Sequence, residues 1–129
     1  MITAYLLGIS NYIEGEDIEI RFRVFKDGEL LFKDDFFQEY KKTVIVEHVA
    51  LLALLDRLEE FRGTDINIMI NNPSLYEQIR GTSTLKNKDA LRMTRKVKEK
   101  LEEFKNTLII EDVSTDKAKL KDWKEVLEG

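Results

Sequence analysis

Apolar residues crowd the first stretch of the chain, from Ile2 to Ile13, with Gly8 in its middle; the run predicts a buried strand in which the glycine marks a bulge or the close approach of another element. After a polar turn around Glu14 to Asp17, Ile18, Ile20, Phe22 and Val24 alternate with Glu19, Arg21 and Arg23, the period of two of a half-buried strand. Asp27-Gly28 supplies the positive-φ turn of a tight hairpin, and the chain returns through Leu30 to Phe37. Three consecutive antiparallel strands are expected. At Thr43, a helix N-cap, the period changes, and a helix is predicted to run to about Arg62 before Gly63 stops it. Glu47, Leu51, Leu54, Leu58 and Phe61 share one face of that helix, so an acid heads a stripe that otherwise wants the core.

Ile66, Ile68 and Ile70 alternate as a further strand, and Asn72-Pro73 opens a short helix that carries Leu75 and Ile79 and ends at Gly81. A longer helix starts near Asn87, with Ala90, Met93, Val97, Leu101 and Phe104 as its inner face, and gives way to an apolar strand from Thr107 to Ile110. Asp116 caps a last helix whose Leu120, Trp123 and Leu127 turn inward. The order β-β-β-α-β-α-α-β-α implies an α/β fold of the mixed-sheet (α+β) kind, five strands with helices on the faces. Glycine and proline are too sparse to form a linker, so residues 1–129 read as one domain.

Composition removes several kinds of chemistry. With no cysteine, disulfides, thiolate catalysis and cysteine-based zinc sites are out, and a single histidine removes histidine-rich metal centres. The longest apolar stretch, Val49 to Leu55, falls far short of the roughly 20 residues of a membrane span, and Met1 to Ser10 lacks the basic start of a signal peptide, so no membrane partner and a soluble cytoplasmic protein are expected. Net charge is only -4, which implies no general affinity for nucleic acid, but its distribution is uneven. Residues 1–40 hold nine acids and four bases, whereas residues 86–105 hold eight bases and four acids, making the third helix a basic ridge.

The element order, and the stretch from Arg23 to Ile79 above all, resembles the ribonuclease H-like fold. The resemblance rests on the Asp27-Gly28 hairpin, on a helix that begins Thr43-Val44-Ile45-Val46-Glu47 and continues rich in Ala and Leu, and on a strand that ends at Asn71-Asn72 before a short helix. It implies a site of four carboxylates holding two divalent metals, because two hard cations beside a phosphate must be neutralised by oxygen ligands while they activate water and stabilise the leaving oxygen. Here the residues depart from the family. Its first Asp, in the middle of strand one, meets Leu6-Leu7-Gly8-Ile9-Ser10, with no acid; its Glu matches Glu47; its second Asp falls on Asn71; and its last falls on Asp122, nine residues after Val113. Two acids of four remain, and the missing first Asp is the one that ordinarily bridges both metals.

Each of these residues also has an ordinary structural account. An acid in the first turn of a helix is favoured by the helix dipole, which serves Glu47; a helix opening with Pro73 needs a cap, which serves Asn72; and Asp122 stands among Lys117, Lys119, Lys121 and Lys124, ready for surface ion pairs. Glu111 and Asp112 end strand five, where acids ordinarily face water, and His48 belongs to no ligand or shuttle pattern, reading as an exposed or partly buried imidazole. Ser10, Ser74 and Thr115 have no base arranged beside them. In several ribonucleases H a basic helix in the region of the third helix grips the substrate, which nominates Lys88, Arg92, Arg95 and Lys96; a solvated face, with Glu99 paired to Arg95 or Lys96, Glu102 to Lys98 and Glu103 to Lys100, accounts for the same run.

The expectation is a non-catalytic ribonuclease H-like binding or scaffolding domain, with RNA, DNA or their hybrid as the first partner to test and no cofactor. The alternative is a divergent nuclease acting on RNA or the hybrid, in which Mg²⁺ or Mn²⁺ sits on Glu47, Asp122 and a further acid such as Glu111 or Asp112. A third reading is a protein-interaction module, a homodimer in particular, joined through the apolar strand that carries Leu30-Leu31-Phe32 and Phe36-Phe37, if that strand is an edge.

Overall fold

A computed structural model describes residues 1–9, 17–38, 45–82 and 87–128. The strands are β1 (Ile2–Ile9), β2 (Ile18–Lys26), β3 (Glu29–Gln38), β4 (Ile66–Ile70) and β5 (Leu108–Asp112); the helices are α1 (Val46–Leu58), α2 (Pro73–Arg80), α3 (Lys88–Glu102) and α4 (Lys117–Glu128). They follow one another in the order expected. The strands form one sheet in the order β3-β2-β1-β4-β5, antiparallel from β3 to β1 and parallel from β1 through β4 to β5. Asp27 (φ 51°) and Gly28 (φ 85°) both take positive φ, as a two-residue turn that follows the sheet twist demands.

Alternation decides which side of the sheet each residue serves. Ile2, Ala4 and Leu6 of β1, Ile18, Ile20, Phe22 and Val24 of β2, and Ile66, Ile68 and Ile70 of β4 are buried in the main core together with Leu51, Leu54 and Leu58 of α1 and Val97 of α3. On the other face Trp123, Leu127 and Val113 form a smaller core with Tyr5, Leu7 and Met69. Helix α1 buries residues around most of its circumference because it lies between the sheet and α3.

Several boundaries differ from the sequence reading. Residues 10–13, expected to continue the first strand, and Thr43, the expected cap, lie outside the described residues. The first long helix leaves α geometry at Leu58 and finishes in a 3₁₀ turn over Glu59–Phe61, a tightening common at helix ends, before Gly63 at φ 91°. Helix α3 stops at Glu102, and buried Phe104 follows it before Lys105 takes a positive φ of 56°. Strand β5 extends to Asp112 because Glu111 and Asp112 continue the ladder opposite Met69 and Ile70.

Both sheet edges are now placed. β5 is short, whereas β3 is a ten-residue edge with Leu30, Leu31 and Phe37 exposed by 51%, 40% and 70%. A bulge falls between the pairs Val24–Phe32 and Phe25–Leu30, so Leu31 is its extra residue and the strand from Phe32 onward is regular.

Candidate functional site

At the far end of β1 the alternation that aims Ala4 and Leu6 at α1 leaves position 8 facing the same helix. Gly8 has no side chain, and the helix has moved into the space. A Cβ at Gly8 would stand 3.2 Å from Val46 Cγ1, 3.3 Å from Ala50 Cβ and 3.4 Å from Glu47 Oε1. The Gly8 amide donates to Glu47 Oε1 at 3.3 Å. Burial pushes the Glu47 carboxyl up to about 7, with the Gly8 hydrogen bond pulling it the other way. An acid that keeps its proton to neutrality supplies little of the negative charge that a pair of divalent cations requires.

The other positions assigned by resemblance lie on the surface. Asn71 is exposed just past β4, while Asn72 caps α2 as expected, its Oδ1 accepting from the Leu75 amide at 3.0 Å. Asp122 is exposed on α4, and its charge, after burial, is what raises the Tyr5 phenol on the face of β1 opposite α1. It makes no ion pair among the described residues, contrary to the surface pairing expected; the bridge within α4 joins Lys121 to Glu125 at 4.0 Å. Next to it, the Trp123 indole donates to the Leu6 carbonyl at 3.2 Å, beyond the last β1–β4 pair at Tyr5–Met69.

Glu111 and Asp112 are half-buried rather than turned to water. Glu111 holds Lys119 at 2.5 Å, and Asp112 accepts from the Asn72 amide at 3.2 Å and from the Ser114 amide and hydroxyl at 3.2 and 2.7 Å, so both serve the fold. Among the described residues no three His, Asp or Glu side chains gather where they could hold a metal. With Gly8 covered by a helix, Asn71 neutral and Glu47 readily protonated, the donors present do not fit a two-metal centre.

Charge is handled differently on α3. Asn87 caps this helix through the Ala90 amide at 3.0 Å, and Ala90, Met93, Thr94 and Val97 turn inward, which leaves Lys88, Arg92, Arg95 and Lys96 on the outer face, all exposed. Arg92 makes a long contact with Asp89 at 3.4 Å. Of the expected intrahelical pairs only Lys100 with Glu103, at 3.3 Å, is formed among the described residues; Arg95, Lys96 and Lys98 make none. Lys100 also reaches Asp56 of α1 at 3.1 Å and contacts Glu59. The last turn of α3 is thus neutralised while its first turns are not. Between α1 and α3 runs an open groove of about 410 Å³ with Val49, Leu52 and Met93 on its floor and Arg92, Lys96 and Asp56 at its rim.

A polar network sets the position of α3, and the sequence did not disclose it. His48 is 3% exposed, deeper than the exposed or partly buried imidazole expected, and its Nε2 lies 2.7 Å from Gln78 Oε1 of α2 and 3.3 Å from the Thr94 hydroxyl of α3. Thr94 also donates to Gln78 Oε1 at 3.2 Å. Burial lowers the His48 pKa, opposed by the Gln78 contact, so the ring is neutral at pH 7. The only trace in the sequence is the helical spacing that sets His48 one turn before Leu51 on a helix with no polar face.

No protein-family model and no curated protein sequence matches the chain. Solved structures do. A ribonuclease H1 from the halophilic archaeon Halobacterium salinarum superposes with a TM-score of 0.80 at 19% identity over 98% of this chain and 92% of its own. A ribonuclease H1 isolated from compost by metagenomics matches at 0.77 and 16% over 98% and 95%, and its structure in complex with an RNA/DNA hybrid matches at 0.76. The N-terminal ribonuclease H domain of a Mycobacterium tuberculosis protein, solved as a fusion, matches at 0.75 and 16%. At these identities what is shared is the fold, the ribonuclease H-like mixed sheet expected from the order of elements.

Proposed function

We propose that this ribonuclease H-like chain binds nucleic acid, a duplex in particular, through the first turns of α3 and does not hydrolyse it. The observation that carries the reading is the contrast along one helix: Lys88, Arg92, Arg95 and Lys96 are exposed with one long contact to an acid among the described residues, while Lys100 is turned away into three carboxylates. Cations held by no partner are free to replace the counterions of a phosphate backbone, and their spacing along one helix face follows such a backbone. A similar fold is known in complex with an RNA/DNA hybrid, which makes that duplex the first ligand to test. The absence of hydrolysis is supported by α1 closing over Gly8 and by the neutral Asn71.

Binding of a labelled hybrid, measured by fluorescence anisotropy as salt is raised, should lose affinity with a log–log slope of about −3, three to four phosphates being neutralised at roughly 0.9 each. The triple variant Arg92→Glu, Arg95→Glu, Lys96→Glu should abolish that binding. Affinity indifferent to the reversal, or no affinity at low salt for hybrid, RNA or DNA, would sink the reading. Cleavage of the same hybrid in Mn²⁺ that disappears in Glu47→Gln would overturn the non-hydrolytic part and put a metal-dependent nuclease in its place.

A further inference from the structure

The geometry points to a second copy of this chain as the occupant of the β3 edge, paired antiparallel about a two-fold axis at Asp34 into a continuous sheet of both protomers. Antiparallel neighbours must either both aim their amides and carbonyls across the gap or both aim them away, and these directions alternate along a strand. A self-paired regular strand is therefore centred on a residue, and the choices near the middle of β3 are Lys33, Asp34 and Asp35. Centred on Lys33, the two lysines meet and Leu31 faces Asp35. Centred on Asp35, two aspartates meet and Lys33 faces Phe37. Centred on Asp34, two aspartates meet at the axis, but every flanking pair is complementary: Lys33 against Asp35 twice, Phe32 against Phe36 twice, and Leu31 beside Phe37 twice.

The side chains are already placed for that register. Leu31 and Phe37, the flanking apolar pair, are exposed by 40% and 70%. Asp34 at the axis brings its own cation, because Arg57 of α1 holds it at 2.7 Å and lies over the Phe32 ring at 4.8 Å, so two carboxylates meet between two guanidinium groups. Asp35 is held by Arg23 at 2.5 Å, fixed in place yet still 47% exposed toward an incoming Lys33. Edge strands are commonly protected by a lysine, a proline or a bulge. In β3 the one lysine is answered by Asp35, proline is absent, and the bulge at Leu31 sits at one end, leaving Phe32–Gln38 straight. A two-fold axis normal to the sheet keeps the faces in register, so both α3 helices come to the same side.

The chain has no cysteine, which allows a direct test of the register. Sedimentation of the unaltered protein without nucleic acid should show twice the chain mass as concentration rises. Lys33→Cys and Asp35→Cys, which oppose each other in the regular part of the strand, should each stay uncrosslinked alone under oxidising conditions, and a mixture of the two should form a disulfide-linked dimer, the opposed β-carbons being near disulfide distance. A strictly monomeric mass at high concentration, or crosslinking of either variant alone at the rate of the mixture, would overturn the proposal. The α3 triple variant should dimerise as the unaltered chain does, so that failure of nucleic-acid binding and failure of edge pairing are told apart.

Discussion

At the Gly8 end of β1 an acid has been drawn beneath a helix until burial lifts its carboxyl to about 7, while on the outer face of α3 four cations stand in water with one long contact to an acid among them. Both regions are built by helices on the same side of the sheet, and His48, Gln78 and Thr94 tie those helices together. The difference lies in what holds the charge. Around Glu47 the environment opposes ionisation, which is the reverse of what a metal-binding acid needs. On α3 the cations stand exposed, and among the described residues only Asp89 touches one of them. The state of Glu47 depends on one close contact, whereas the charged surface depends on a whole helix face.

The contrast breaks most sharply by placing an acid at position 8. Gly8→Asp must find room against Val46 and Ala50 and places a second carboxylate at Glu47, so overpacking and an uncompensated buried charge together should cost about 4 kcal/mol in urea unfolding. A variant as stable as the parent would show that the helix yields easily.

Next in size is a pH effect. Because the folded chain raises the Glu47 pKa above its ordinary value, the folded state holds a proton that the unfolded state releases, so stability is fullest below about 4.5 and falls as pH rises to about 7. The loss amounts to at most about 3 kcal/mol. Glu47→Gln should remove this slope and be the more stable form at pH 8, which denaturant melts at several pH values would detect. A parent whose stability is flat across that window would refute the burial argument.

Two lysines of α3 sharpen the other side. Lys100→Ala should lower stability by about 0.5 to 1 kcal/mol and leave hybrid affinity unchanged, since its charge is spent on three acids. Lys96→Ala should leave stability unchanged and reduce the salt slope of binding by about 1. Interchange of these two outcomes would mean that the ridge runs along the other end of the helix. Smallest of all is the response to metal: millimolar Mn²⁺ should leave the amide resonances of Gly8, Glu47, Asn71 and Asp122 unbroadened, and localised broadening there would restore a metal centre.

What the sequence made legible was whatever is written locally. The period of β2, the Asp27-Gly28 turn, and the caps at Asn72, Asn87 and Asp116 each depend on residues a few positions apart, and the structure has them all. What it hid depends on partners far along the chain. Glu47 looks like any first-turn acid until Gly8, 39 residues earlier, lets the helix settle over it. His48 meets Gln78 and Thr94 from two other helices, and Glu111 meets Lys119 across a turn. Charge patterning named the basic helix, but only the fold separates Lys100, folded back onto α1, from Lys96, which is not.

The contact at Gly8 also gives substitution there a direction. A side chain at this position requires Val46 and Ala50 of α1 to give by a few tenths of an ångström, so residue 8 and the seat of the helix are coupled. Val46 and Ala50 would have to shrink or shift before an aspartate fits, and shrinking them first would open a void beside a glycine. A glycine that fits so closely works as a latch: whatever side chain arrives at position 8 is first resisted by the seat of α1, before any chemistry it could bring comes into play.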